Sequence, residues 1–249
     1  MSQSNKATFF LSTGRCGTQW LQKTLSTVYR AEARVTHEPV KAPYKARRYL
    51  RAYDKFDELL SSRPVTQHLQ GIDETLKTKI YIETGWPSYP VLPFIIDQLE
   101  GRVRVVHLVR HPVLTALSLA THKMYNHHLD WAKGFAINPF DPGVIQKELT
   151  AQWHTMNMYE KCLFWWTEIN LYALELQEKY PDLEFFFLRY EDLFGENIEV
   201  MSALVAFMGL AYNPAIHLHT SKIVDSYRYK SSAVDWTLIY SYPKTIALA

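Results

Sequence analysis

Within eight positions, Ser12-Thr13-Gly14-Arg15-Cys16-Gly17-Thr18-Gln19 gathers two glycines, a guanidinium, a thiol and several hydroxyl or amide donors. The apolar run Ala7–Ser12 comes before it, and Leu21, Leu25 and Val28 follow at helical spacing. A loop between a buried strand and a helix can wrap its backbone N–H groups around a phosphate, and the helix N-terminus adds partial positive charge. Glycines let that backbone come close, while Arg15, Thr18 and Gln19 add donors. The Walker pattern of ATP and GTP loops is not met. Ser12 stands where its first Gly belongs and Thr18 where its Lys belongs, so the ammonium that grips a triphosphate is missing. The alternative is a plain strand-to-helix turn with a chance Arg.

The elements that must position this loop follow from periodicity. Ala33–Thr36, Lys79–Glu83, Arg102–Val109 and Glu184–Arg189 read as four further short strands. Helical patterns cover Gly17–Val28, Val91–Leu99, Val113–Met124, the long stretch Ile145–Tyr180 with one possible break, and Glu196–Met208. Strands that alternate with helices predict an α/β fold with a mainly parallel sheet. The 249 residues suit a single domain over 1–249, with 47% hydrophobic and 21% charged residues in an ordinary globular balance.

Composition also excludes classes of function. A net charge of +2 is too small for a protein that coats nucleic acid. Two cysteines, Cys16 and Cys162, rule out a disulfide scaffold and a four-cysteine zinc site. The N-terminus lacks the apolar segment of a signal peptide, and no run is long enough to span a membrane. A soluble, cytoplasmic protein is expected. The oligomeric state is open.

Arg15-Cys16-Gly17-Thr18-Gln19-Trp20-Leu21 resembles the 5′-phosphosulfate loop of sulfotransferases that use 3′-phosphoadenosine 5′-phosphosulfate (PAPS). Gln19 and Cys16 are mild departures from that pattern. The resemblance implies that Arg15 faces the phosphosulfate, that Thr18 and Gln19 bind the 5′-phosphate, with Cys16 and Gly17 in the same loop, and that Trp20 stacks on adenine. The same family places an Arg at a strand end and a Ser eight residues on, both gripping the 3′-phosphate. Arg110 and Ser118 match, with His111 in place of the commoner Asp. A guanidinium fork and a hydroxyl two helical turns apart can share one phosphate. Arg189-Tyr190-Glu191-Asp192-Leu193 resembles the family's segment near adenine, through Tyr190. The segment from Tyr229 to Trp236 resembles its closing loop, from which only Lys230 and Ser231 carry over. The implied fold is a five-stranded parallel sheet flanked by helices, of the P-loop nucleoside-kinase type.

The implied reaction moves a sulfuryl group from PAPS to a hydroxyl or amine of a small molecule or sugar and leaves adenosine 3′,5′-bisphosphate. It requires positioning, cations and a base, and no metal. Arg15 is the first cation. His37-Glu38-Pro39 follows the second strand at the edge where open α/β folds bind ligands, and Glu38, then His37, are the base candidates. Glu83, Thr84 and Trp86 end the third strand at the same edge and are candidates for the acceptor site. A small-molecule or nucleoside kinase using ATP, or a nucleotide-binding protein without catalysis, are the competing readings. The basic stretch Lys41, Lys45, Arg47, Arg48 and Arg51 reads as a solvated helix face balanced by Asp54, Asp57 and Glu58.

Overall fold

The structure is a computed structural model. It describes residues 5–126, 130–193 and 198–219, with the side chains of 130–132, 218 and 219 excepted. Five parallel strands form one sheet in the order β2-β3-β1-β4-β5. They are β1 (Ala7–Leu11), β2 (Ala33–Thr36), β3 (Ile80–Glu83), β4 (Val103–Val109) and β5 (Glu184–Arg189). The described helices are α1 (Thr18–Val28), α2 (Ala46–Tyr49), α3 (Asp57–Leu60), α4 (Arg63–Leu76), α5 (Leu92–Gln98), α6 (Pro112–Thr121), α7 (Asp130–Phe135), α8 (Met158–Lys179) and α9 (Ile198–Phe207). None of them is long and apolar enough to cross a membrane.

Every side chain of β1 is buried. A strand paired on both edges and covered on both faces has no water-facing side, so its sequence is apolar throughout. Alternation then sends Phe9 and Leu11 to one core with α4, α5 and α8, and Phe10 to the other with α1 and α9. β1 pairs with β3 and β4, so the loop after β1 lies between the ends of those two strands. Pro64, Pro93 and Pro112 each sit in a first helical turn, where a missing N–H costs nothing.

The stretch Ile145–Tyr180 is not one helix. A 3₁₀ segment, Lys147–Gln152, comes first, and α8 starts afresh behind Asn157, whose side chain forms a reciprocal capping box with Glu160. Val91–Leu99 likewise resolves into a 3₁₀ turn at Tyr89–Val91 followed by α5. α4 had no counterpart among the expected elements, although Val65, Leu69, Ile72 and Leu76 recur at helical spacing and pack on the core.

The basic stretch is a solvated face only in part. Lys41, Lys45, Arg47 and Arg48 are exposed, and Arg48 pairs with Glu58 at the surface, but Arg47 and Arg51 also reach buried carboxylates. Arg47 forks onto Asp141, with Nε and Nη2 at 3.0 and 2.9 Å from Oδ1. Arg51 donates Nη1 to Glu168 Oε1 and to the Gly143 carbonyl, both at 2.6 Å, and Nε to Glu175 Oε2 at 2.5 Å. Glu168 is wholly buried and also accepts from the Ile145 N–H at 3.0 Å and the Gln146 Nε2 at 3.0 Å. This charge knot ties the 46–60 segment and the 143–147 turn to α8, the helix that props the site.

Candidate active site

The loop between β1 and α1 turns on three residues in the left-handed backbone region: Gly14 (φ 75°), Arg15 (φ 58°) and Gly17 (φ 76°). Glycine adopts that region freely, whereas Arg15 there is strained and needs its surroundings to hold it. Those surroundings are visible. Trp165 Nε1 donates to the Thr13 carbonyl at 3.0 Å, and Arg110 Nη1 donates to the Arg15 carbonyl at 2.7 Å. A Cβ on Gly14 would stand 3.2 Å from the Trp86 ring, so Gly14 also makes room for that indole. Cys16 is buried and its Sγ donates to the Gly14 carbonyl at 3.1 Å. Burial pushes the thiol up to about 11, so at neutral pH it is a neutral spacer rather than a nucleophile. α1 starts at Thr18 with no side-chain cap and no acidic residue in its first turn, which leaves its positive end available to an anion.

The second candidate phosphate element, Arg110 and Ser118, meets this loop. Arg15 Nε donates to Ser118 Oγ on α6 at 3.0 Å. Arg110, one residue past β4, lays its guanidinium 4.5 Å from the centre of the Tyr190 ring. Its Nε is buried and has no hydrogen-bond partner within the described protein. Its carbonyl accepts from Trp166 Nε1 at 2.9 Å. Glu191 Oε1 accepts from the His111 N–H at 2.9 Å and so steadies the entry to α6. A phosphate ester is the group that suits such an arrangement: two guanidinium groups, a hydroxyl and a helix N-terminus, with one buried donor still unmatched.

The base candidates form a separate corner where β2 ends. Glu38 has φ 51°, again left-handed for a non-glycine residue. Its carboxylate pairs with Lys41 Nζ and lies 3.6 Å from His37 Nε2. Burial lowers the His37 value, against an opposing pull from Glu38, so the imidazole is neutral at pH 7. Thr84 Oγ1 donates to the Thr18 carbonyl at 2.9 Å, and His37 Nδ1 lies 3.4 Å from the same hydroxyl. A neutral imidazole carries one N–H for these two neighbours, so His37 donates either to Thr84 Oγ1 or toward the Glu38 carboxylate, and not to both.

A model of the sulfotransferase domain matches residues 5–245, nearly the whole chain. The chain belongs to the sulfotransferase family. No curated protein matches its sequence. Among solved structures, it is similar to the sulfotransferase domain of the curacin biosynthetic pathway, at 17% identity and a TM-score of 0.52, over 87% of this chain and 77% of that one. It is also similar to the sulfotransferase domain of the Synechococcus PCC 7002 olefin synthase, at 16% identity and 0.53, over 96% and 85%. A sulfotransferase from Alicyclobacillus acidocaldarius aligns at 16% identity and 0.50, over 99% and 94%. The shared fold is the α/β, P-loop-like one, and the family is one of transferase enzymes.

In this sulfotransferase the remaining candidates are placed unequally. Trp20 is 3% exposed and packs in the α1–α9 core, where it has no open face for a planar ligand. Glu83 and Thr84 are wholly buried, so of the three acceptor candidates only Trp86 keeps part of its surface outside the core. Glu83 Oε2 accepts from the Tyr81 hydroxyl at 2.9 Å and lies 3.0 Å from His68 Nε2. Trp86 packs edge-on against Phe135 and Trp165, with ring centroids at 5.2 and 5.7 Å. Lys230 and Ser231 lie outside the described residues. Sequence reasoning missed Trp165, whose indole N–H reaches the Thr13 carbonyl, and Trp166, whose N–H reaches the Arg110 carbonyl. A tandem Trp on the helix beside the sheet edge was the available signal.

Proposed function

We propose that this sulfotransferase moves a sulfuryl group from PAPS to a hydroxyl or amine of a small-molecule or carbohydrate acceptor. The observation that carries the reading is the junction of the two phosphate elements, Arg15 to Ser118 and Arg110 to the Arg15 carbonyl, at one sheet edge. The donor supplies an activated sulfur whose leaving group is a phosphate. Arg15, Cys16, Gly17, Thr18 and Gln19 hold the 5′ end through backbone N–H groups and side-chain donors. Arg110 and Ser118 hold the 3′-phosphate, with the unmatched Arg110 Nε as a further donor. Tyr190, beneath Arg110, keeps that guanidinium flat and lies on the adenine side. Glu38 takes the acceptor proton as the acceptor oxygen or nitrogen bonds to sulfur. The sulfur–oxygen bond to the leaving phosphate breaks, and the electron pair departs with adenosine 3′,5′-bisphosphate. Arg15 offsets the charge that develops on that bridging oxygen. Trp86, against Gly14, forms an apolar wall beside the transferred group. Lys230 and Ser231 close over the 3′-phosphate in this reading, and the enzyme works in the cytoplasm without a metal.

The test is ligand-induced stabilisation. Adenosine 3′,5′-bisphosphate should stabilise the fold by about 2.7 kcal/mol at a hundredfold excess over its dissociation constant. ATP, which lacks the 3′-phosphate, should stabilise less. A melting shift that favours ATP with Mg²⁺ over the bisphosphate would establish the kinase reading instead.

A further inference from the structure

Gly85 differs from the loop glycines in one respect: its backbone is not in the left-handed region, so conformational freedom is not the reason for it. Space is. A Cβ built on Gly85 would lie 2.5 Å from the Glu38 backbone nitrogen, 2.6 Å from its Cγ and 2.9 Å from its Cα. Real Cβ contacts do not come that close, and two of the three atoms are backbone, which cannot swing aside. Glu38 is therefore seated directly on Gly85. Its neighbour Thr84 makes the complementary connection. The Thr84 N–H donates to the Thr36 carbonyl at 3.1 Å, its Oγ1 donates to the Thr18 carbonyl at 2.9 Å, and the same oxygen faces His37 Nδ1 at 3.4 Å. Thr84 thus touches the end of β2 through its N–H, and the first residue of α1 and the residue before Glu38 through its buried hydroxyl.

We infer that Thr84-Gly85, at the end of β3, is the seat that positions Glu38 relative to the donor loop. The pair are positioning residues, and neither touches the reacting atoms. This rests on the reading of Glu38 as the base. Glu38 holds a left-handed backbone that a glutamate does not choose alone, so its place must come from neighbours. Gly85 supplies the floor under it, and Thr84 ties that floor to the first turn of α1, where the 5′-phosphate is read to bind. An error of about 1 Å in such a placement can cost a hundredfold in rate.

The experiment uses the full chain with ³⁵S-labelled PAPS and the small-molecule fraction of a cell extract as acceptor pool. Release of labelled product and the affinity for adenosine 3′,5′-bisphosphate are both measured. Gly85→Ala should lower turnover by about 10–100-fold and leave bisphosphate affinity within about twofold, since the donor grip lies elsewhere. Added to Glu38→Gln, it should cost nothing more, because its effect passes through Glu38. Thr84→Val should lower turnover and Thr84→Ser should restore it, since serine returns the hydroxyl. A Gly85→Ala enzyme as active as wild type, beside a disabled Glu38→Gln enzyme, overturns the seat and spares the base. So does a Gly85→Ala loss repeated in full on the Glu38→Gln background. A Glu38→Gln enzyme with wild-type turnover removes the base reading and the seat with it.

Discussion

At the donor corner each charged group is braced by a second stretch of chain, whereas the base corner hangs on a few close contacts between two strand ends. Arg15 is held by Ser118 through its side chain and by Arg110 through its carbonyl, and Arg110 is held in turn by Trp166 and Tyr190. Glu38 rests on Gly85, with Lys41 and His37 beside its carboxylate. Braced donors that do not move suit a polyanion that must be bound tightly and identically in every cycle. A small corner with one neutral imidazole and one carboxylate suits a proton transfer that needs the right atom in the right place. The two corners should therefore fail in different ways: damage to one shows in affinity, damage to the other in turnover.

The largest effect tests the base corner. Glu38→Gln keeps the size of the side chain but cannot take a proton, and turnover should fall by about 10²–10⁴-fold. Affinity for adenosine 3′,5′-bisphosphate should stay near wild type. His37→Asn should cost less. A lost turnover in His37→Asn with an unharmed Glu38→Gln would make His37 the base. A comparable fall in bisphosphate affinity in Glu38→Gln would erase the distinction between the corners.

Damage to the prop behind both corners comes next. Glu168→Ala takes the wholly buried partner from Arg51, which keeps Glu175, and leaves the Ile145 N–H and the Gln146 amide unmatched, so the fold should lose about 3 kcal/mol. Urea denaturation of the ligand-free chain measures it. A loss below 1 kcal/mol would mean that the 46–60 segment is not anchored to α8 through this knot.

The donor corner should answer to a smaller change. Arg110→Ala removes charge-assisted hydrogen bonds worth roughly 1.5–3 kcal/mol. Binding of the 3′,5′-bisphosphate should weaken accordingly, while adenosine 5′-phosphosulfate, without a 3′-phosphate, should lose less, and only through the Arg15 carbonyl that Arg110 holds. Ser118→Ala should act in the same direction and more weakly. Equal losses for both nucleotides would place Arg110 at the 5′ end.

The two corners were also unequally legible in the sequence. The donor corner is two strand–loop–helix units, each with a local signal: glycines and an Arg after β1, an Arg and Pro112 after β4. Parallel strands with apolar runs made the sheet readable for the same reason. The base corner announced Glu38 only as a carboxylate at a strand end. What seats it, Gly85, lies 47 positions away, just past the end of the strand that pairs with β2, and register between strands is not written in either one. The charge knot was hidden in the same way, because the partners of Arg51 sit on α8, 117 and 124 residues away. A run of basic residues looks identical whether its partners are water or a buried Glu168. Trp20 follows directly on the candidate donor-loop residues in the sequence, but in the fold it lies on the face of α1 that packs into the core shared with α9.

The smallest effect appears in acid and separates the corners by their histidines. Burial holds both His37, beside Glu38, and His107, on β4 behind the donor corner, below the ordinary value of 6.5. The unfolded chain then binds protons that the folded chain refuses. Stability from these groups is complete above pH 6.5 and is lost as pH falls through the folded-state values. One such proton gives a slope of at most about 1.4 kcal/mol per pH unit. The His107 ring is fixed: its Nε2–H donates to Asn170 Oδ1 at 2.9 Å, and Asn170 Nδ2 donates to the Trp166 carbonyl at 2.7 Å. His107→Gln should flatten the acid limb of a stability–pH curve and leave turnover at neutral pH unchanged. His37→Asn should flatten it as well and also slow turnover. Glu184 is different: burial raises its value, but Lys6 and Arg104 outweigh this and hold it low, so its window opens only below 4.5. If both histidine variants keep the wild-type slope between pH 4.5 and 6.5, neither corner shelters a neutral imidazole, and the contrast between them must rest on Glu38 and the two guanidinium groups alone.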